Sequence, residues 1–295
     1  MLGSMVVQVL ARNPSFAITA TTRGSGPQAG VLNGSNVRWE TVDFATGELP
    51  PGLVERHEWI VNAVGITKPL IQDDNPADVA RAINLNARLP QAIADAASRS
   101  GCRVLQIATD CVYSGLRGSY IENDPHDALD VYGKTKSLGE AYSPSEHHLR
   151  CSIIGPEPKD FKFLFEWFRG RPRDARIDGY RNHRWNGVTT LQFARLCAGI
   201  IEQDLPLGHL QHVIPAGSVT KAELLSLMGV VFGRGDIEIT SVDAKAALDR
   251  TLATMHSDGN ARLWTAAGYA AAPTMEEMLH ELCAFPYRAA GPAVA

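Results

Sequence analysis

Short apolar, β-branched runs alternate along the first half of this chain with longer helix-forming or loop-forming stretches, and that alternation limits its folds more than any other feature. The runs lie at residues 16–22, 36–43, 59–65, 104–108 and 149–155, and helical patterns occupy residues 1–10, 73–100 and 131–142. Strands that alternate with helices build a parallel sheet covered on both faces. The expected class is therefore α/β, a doubly wound parallel sheet of Rossmann type. Such sheets bind ligands outside the carboxyl ends of their strands, so the residues following each run are the ones to inspect.

One strand end stands out. Val104-Leu105-Gln106-Ile107-Ala108 runs into Thr109, which presents a hydroxyl at the strand's carboxyl end, able to hydrogen-bond a reacting carbonyl. After a polar loop comes Tyr132-Gly133-Lys134-Thr135-Lys136. In a helix, Tyr132 and Lys136 project from one face and can meet over the same substrate. A tyrosine with its usual pKa near 10 is a weak acid or base at neutral pH, and lowering it by about three units takes roughly 4 kcal/mol. A neighbouring ammonium, together with a cationic nicotinamide ring, is expected to supply that lowering.

With 295 residues and 45% hydrophobic content, the chain can bury a large core or a main domain with a smaller lobe. A net charge of −4 argues against nucleic acid or a membrane surface as partner. The five cysteines show no Cys-x-x-Cys spacing and read as reduced residues of a cytoplasmic protein. No apolar run long enough to span a membrane occurs, and no signal peptide is recognisable. The nine histidines form no His-x-x-x-His pair, so metal catalysis is not expected.

The combination of Thr109, Tyr132 and Lys136 resembles the catalytic triad of the extended short-chain dehydrogenase/reductase superfamily. Ala108-Thr109-Asp110-Cys111-Val112-Tyr113-Ser114-Gly115 is similar to the Ser-Thr-Asp-Tyr-Val-Phe-x-Gly segment of its dTDP-4-dehydrorhamnose reductase branch. The resemblance runs from Gly3 to Gly155. It implies a cofactor domain over residues 1–155, completed by a helix and strand near 188–215, and a mainly substrate-binding lobe over 156–295.

The cofactor implied is NADP(H), with NAD(H) as the alternative. Gly3 matches the last glycine of the family's Gly-x-x-Gly-x-x-Gly turn; the first strand and the earlier glycines are absent from this sequence, as expected of a misassigned start or a truncated chain. Arg23, at the end of the run at 16–22, sits where an arginine accommodates the 2′-phosphate of NADP. Asp43 and Phe44 fall near the adenine by the same resemblance, with a helix cap as the plainer role for Asp43. Ala63-Val64-Gly65 is similar to a turn whose small residues lie against the cofactor. Asn86 matches the asparagine of a Val-Asn-Ala-x-x-Pro motif, its plainer role being a satisfied polar group in a helix. Tyr132 and Lys136 complete the cofactor contacts.

Past Gly155 the pattern weakens. Phe163, Phe165, Trp167 and Phe168 read as core. The arginines at 169, 171, 173, 176, 181 and 184 could grip the diphosphate of a nucleotide-sugar or form a solvated basic loop. The activity implied is NADPH-dependent reduction of a 4-keto-6-deoxy nucleotide-sugar by a monomer or homodimer. The alternatives are an NAD-dependent epimerase or dehydratase and a non-catalytic NADP-binding regulatory subunit. Similar dehydratases follow the threonine with Asp-Glu, whereas Thr109 is followed by Asp110-Cys111, which favours the reductase.

Overall fold

In a computed structural model of the chain, residues 1–24, 36–140, 142–157 and 161–287 are described. The glycine-containing stretch at 25–35 and the C-terminal residues from 288 lie outside them.

Helix α1 (Leu2–Leu10) opens the chain and buries Met5 and Val6. Strands β1 (Ile18–Thr22), β2 (Val37–Thr41) and β3 (Trp59–Asn62) follow where β-branched runs were expected. The helical stretch at 73–100 is not one uninterrupted α-helix. The Asn75 side chain accepts from the amides of Ala77 and Asp78, and Pro76 supplies a first turn that needs no amide hydrogen, so α2 (Pro76–Ile83) starts there. A π turn (Asn84–Arg88) then leads into α3 (Leu89–Ser100), which stops at Gly101 in the left-handed conformation.

Strand β4 (Arg103–Ala108) is followed by helix α4 (Val131–Leu138) and strand β5 (Glu146–Arg150). Two expectations need correction here. Helix α4 ends before residue 142 because Gly139 packs onto the carbonyl of Asn86 so closely that a side chain could not fit. The strand expected at 149–155 lies earlier, because the polar residues Glu146, His147 and His148 are inside it and buried. Residues beyond it form β6 (Ile153–Ile154) in another pairing.

The second half adds α5 (Leu164–Arg169), β7 (Arg176–Tyr180), β8 (His183–Trp185) and β9 (Val188–Thr189), then α6 (Thr190–Glu202) and β10 (Leu210–His212). It closes with β11 (Val219–Thr220), α7 (Lys221–Val231), β12 (Glu238–Val242), β13 (Leu248–Asp249), α8 (Ser257–Ala266) and α9 (Met275–Ala284). Thr220 forms a reciprocal capping box with Glu223 at the start of α7.

The main sheet is parallel, in the order β10-β5-β4-β3. A second parallel pair, β1-β2, stands beside it, and among the described residues no strand joins β1 to β3. Side chains alternate across β4: Val104 enters a core with Ala82, Leu89 and Ile93 from α2 and α3, while Leu105 enters one with α1 and α6. Helices thus cover both faces, as a doubly wound sheet requires. The second core continues through Phe165, Phe168, Met228 and Leu279, so the aromatic run at 163–168 is largely core.

Candidate active site

Thr109 is the first residue beyond β4, and its backbone stays extended while its side chain turns back to accept the amide of Cys111 at 3.1 Å. That bond starts a short 3₁₀ turn and fixes the hydroxyl at the strand end. The same hydroxyl donates to Asp110 Oδ1 at 3.3 Å. Both residues are buried.

Helix α4 is set against this turn by two local features. Asp130 caps it, accepting the Gly133 amide at 2.9 Å. Gly133 itself lies where a methyl group would strike Ala128 and come within 2.6 Å of the Cys111 carbonyl oxygen. The helix approaches closely only because that methyl is absent. Tyr132 is thereby brought near Thr109, whose hydroxyl favours the phenolate form. Lys136, one turn along, is 7% exposed and donates from Nζ to the Ile107 carbonyl at 2.8 Å.

The electrostatics differ from the sequence expectation. Burial, reinforced by Cys111, Asp110 and Asp130, pushes the Tyr132 phenol well above its usual range, although the Thr109 hydroxyl opposes the shift. The expected lowering of its pKa is not found in the cofactor-free protein: the ammonium of Lys136 is spent on a carbonyl. Lys136 is brought down to about 8 by burial, with Glu140 and Glu146 resisting and Arg150 assisting. At neutral pH the site holds a protonated phenol beside a cation that is close to titrating.

The other expected residues sit as follows. Gly3 is in the first turn of α1, and a methyl on it would lie 3.6 Å from Ala63 Cβ, so the start of that helix touches the end of β3. Arg23 is exposed immediately after β1. Asp43 is exposed and accepts the Ala45 amide at 3.0 Å, shaping a turn rather than capping a helix, whereas Phe44 is buried in the core. Asn62 holds the turn at 63–65 by accepting the Val64 amide. Asn86, inside the π turn, accepts from the Ile66 amide, donates to the Ile66 carbonyl and reaches Thr135 Oγ1 at 3.2 Å. It ties the turn after β3 to α4, and Gly65 is small because the Asn86 oxygen stands 3.1 Å from where a methyl would be.

Sequence reasoning passed over two groups. The segment after β13 lies along the turn that Thr109 starts: Arg250 donates to the Tyr113 carbonyl at 3.0 Å and points toward Cys111 Sγ at 3.9 Å. Gly115 permits this, because a methyl there would meet Leu248 and Arg250 and its φ is +84°. Tyr120 and Glu122, in the loop after the turn, pin the same segment. Tyr120 exchanges backbone bonds with Thr251 and Ala253, and Glu122 accepts from Thr254, Met255 and His212.

The second group surrounds Arg150, which is wholly buried. It pairs with Glu140 at 2.5 Å and donates to Tyr113 Oη, His212 and His126. A tyrosine, two histidines and an arginine among apolar neighbours were the available signal. The arginines past residue 168 behave differently: Arg176 pairs with Glu238, Arg181 with Asp243 and Arg169 with Glu166, so these side chains are engaged on the surface.

A family model described as the RmlD substrate binding domain matches residues 7–154. The chain belongs to this family. A dTDP-4-dehydrorhamnose reductase of Aggregatibacter actinomycetemcomitans is 37% identical over 98 residues, 32% of this chain and 32% of that protein. The methionine adenosyltransferase 2 subunit beta of Danio rerio is 29% identical over 163 residues, 51% of this chain and 49% of that one. The chain thus matches about a third and about half of the length of these curated relatives. A crystal structure of a dTDP-4-dehydrorhamnose reductase from Bacillus anthracis, in complex with NADP, superposes with a TM-score of 0.65 at 18% identity, covering 90% of this chain and 97% of that one. At that identity the likeness establishes the fold.

Proposed function

We propose that this member of the RmlD substrate binding domain family is an NADPH-dependent reductase of a 4-keto-6-deoxy nucleotide-sugar. The observation that carries the reading is the close packing of α4, which bears Tyr132 and the buried Lys136, against the turn that Thr109 starts at the end of β4. The residues present suit a nicotinamide dinucleotide. The carboxyl ends of β1, β3 and β4 supply Arg23, the turn at 63–65 and Thr109, and the first turn of α1 meets that turn through Gly3 and Ala63. Amides at a helix start favour a pyrophosphate, and an exposed arginine favours a further phosphate.

The bound nicotinamide would supply the hydride. This chain's own residues handle the proton and the geometry: Thr109 orients the keto oxygen, and Tyr132, kept protonated by burial, gives its proton to the alkoxide that forms there. Lys136 places a positive charge where the phenolate then appears. The pair Asp110-Cys111 lacks the second carboxylate that a dehydratase would use to remove a carbon-bound proton. Similarity to the methionine adenosyltransferase beta subunit supports a second reading, a regulatory protein that binds the cofactor without turnover.

The test is NADPH consumption over a panel of 4-keto-6-deoxy nucleotide-sugars, repeated with NADH. Oxidation of NADPH by at least one of them, faster than that of NADH, is expected. Tight NADPH binding without oxidation by any member of the panel would favour the regulatory reading.

A further inference from the structure

The buried guanidinium of Arg150 dictates where its neighbours carry their protons. Its two terminal nitrogens can only donate, and all four of their hydrogens are placed: Nη1 reaches Tyr113 Oη at 2.7 Å and His212 Nε2 at 3.0 Å, while Nη2 reaches Glu140 Oε2 and, at 2.9 Å, His126 Nε2. Both imidazoles must therefore accept on Nε2, which makes them neutral with the proton on Nδ1. For His212 the far end agrees, since Nδ1 lies 2.7 Å from the Ala253 carbonyl, which can only accept. For His126 the Nδ1 hydrogen then points at Ser137 Oγ, 2.7 Å away in the last turn of α4. One imidazole thus ties that turn to β5.

We propose that His126, held in a single tautomer by Arg150, is a positioning residue that keeps α4, and with it Tyr132 and Lys136, in place at the end of β4; this rests on the reductase reading above. Asp130 fixes the first turn of the helix and His126 the last. Solvent protons reach the tie, because His126 and Ser137 line an open cavity of about 320 Å³ beside Lys134. The groups facing the ring are Arg150 from β5, Glu140 beyond α4 at 3.7 Å, Lys134 in the same cavity, the ring of Tyr113 at 5.6 Å and the adjacent Asp127. A proton taken on Nε2 sets N–H against N–H at Arg150, so the imidazolium turns to Glu140 instead and releases Ser137. Burial holds the His126 pKa below its ordinary 6.5, against the pull of Glu140, so the tie is intact at neutral pH and lost on acidification.

The first measurement needs neither cofactor nor substrate. In the full chain labelled with ¹⁵N-histidine, the ring resonances of His126 are those that vanish in His126→Gln or, should that variant fail to fold, those that shift in Ser137→Ala. At neutral pH they should report an uncharged ring protonated on Nδ1; a ring protonated on Nε2, or on both nitrogens, would overturn the proposal. With NADPH and a 4-keto-6-deoxy nucleotide-sugar, Ser137→Ala should lower kcat about tenfold with KM within about twofold, the kinetic equivalent of one lost hydrogen bond. The kcat of the unsubstituted protein should fall reversibly below pH about 6.5. His126→Gln, whose amide oxygen still accepts from Arg150 but takes no proton, should move that limb to lower pH. Full turnover in Ser137→Ala, or an acid limb identical in His126→Gln, would also overturn it. Tyr132→Phe, run in parallel, separates the two ideas. If that variant stays fully active the reductase reading fails, whereas an inactive Tyr132→Phe beside a fully active Ser137→Ala condemns the positioning role alone.

Discussion

A methyl group on residue 133 would meet Ala128 and the Cys111 carbonyl, so the helix bearing Tyr132 would have to retreat from Thr109. Gly133→Ala is expected to cost about 1–3 kcal/mol in urea unfolding and to depress activity further, since the phenol loses its alignment. An unchanged midpoint would show that the approach is looser than described. Lys136 makes a second prediction at this scale. Its ammonium is brought down to about 8 by burial, so the charge one helical turn from Tyr132 is present below that pH and lost above it. At sub-saturating cofactor, kcat/KM should fall as pH rises through about 8, and Lys136→Arg, whose charge does not titrate there, should move or remove that limb. A profile identical in both proteins would free Lys136 of the role.

Among the elements, β5 shows what a chain can hide. Every residue of Glu146–Arg150 is buried although most are polar; the strand is laddered between β4 and β10, and the charge of Arg150 is met by Glu140. Breaking the Glu140–Arg150 pair leaves a guanidinium in the interior without its carboxylate, so Glu140→Gln should cost about 3–5 kcal/mol, measurable by denaturant unfolding. A cost below about 1 kcal/mol would mean that water reaches Arg150. Strands β1 to β4 and the helical stretches of the first half were legible because their apolar periodicity is local; the caps and the π turn that divide the stretch at 73–100 were not. Thr109, Tyr132 and Lys136 were legible because turn and helix each carry their own spacing. Arg250 and Arg150 were not, since Arg250 meets Tyr113 across 137 residues and Arg150 meets His212 across 62, and no local pattern signals such encounters. Asn86 was legible as a residue, but its work, joining the turn after β3 to α4, depends on a π turn that helical spacing does not announce.

For the whole molecule, the parallel sheet brings strand ends together while the segment after β13 closes over one of them through Glu122, Tyr120 and Arg250. His212 belongs to that closure. Burial, then the charge of Arg150, brings it down to about 4, below its ordinary 6.5. Between those values the unfolded chain binds the extra proton and the folded chain does not, so stability rises with pH across this window and is lost as pH falls from about 6.5 toward 4. The loss should approach about 3 kcal/mol, and replacing His212 by asparagine should flatten it. Equal acid sensitivity in both proteins would assign the effect elsewhere. All of these features converge on one arrangement, a phenol held against an alcohol at the end of a parallel strand with a buried ammonium beside it. Turnover of NADPH with a 4-keto-6-deoxy nucleotide-sugar, compared between the unsubstituted protein and Tyr132→Phe, tests it most directly: a fall of roughly 10²–10⁴-fold with little change in cofactor affinity is expected, and full turnover without the phenolic hydroxyl would contradict it.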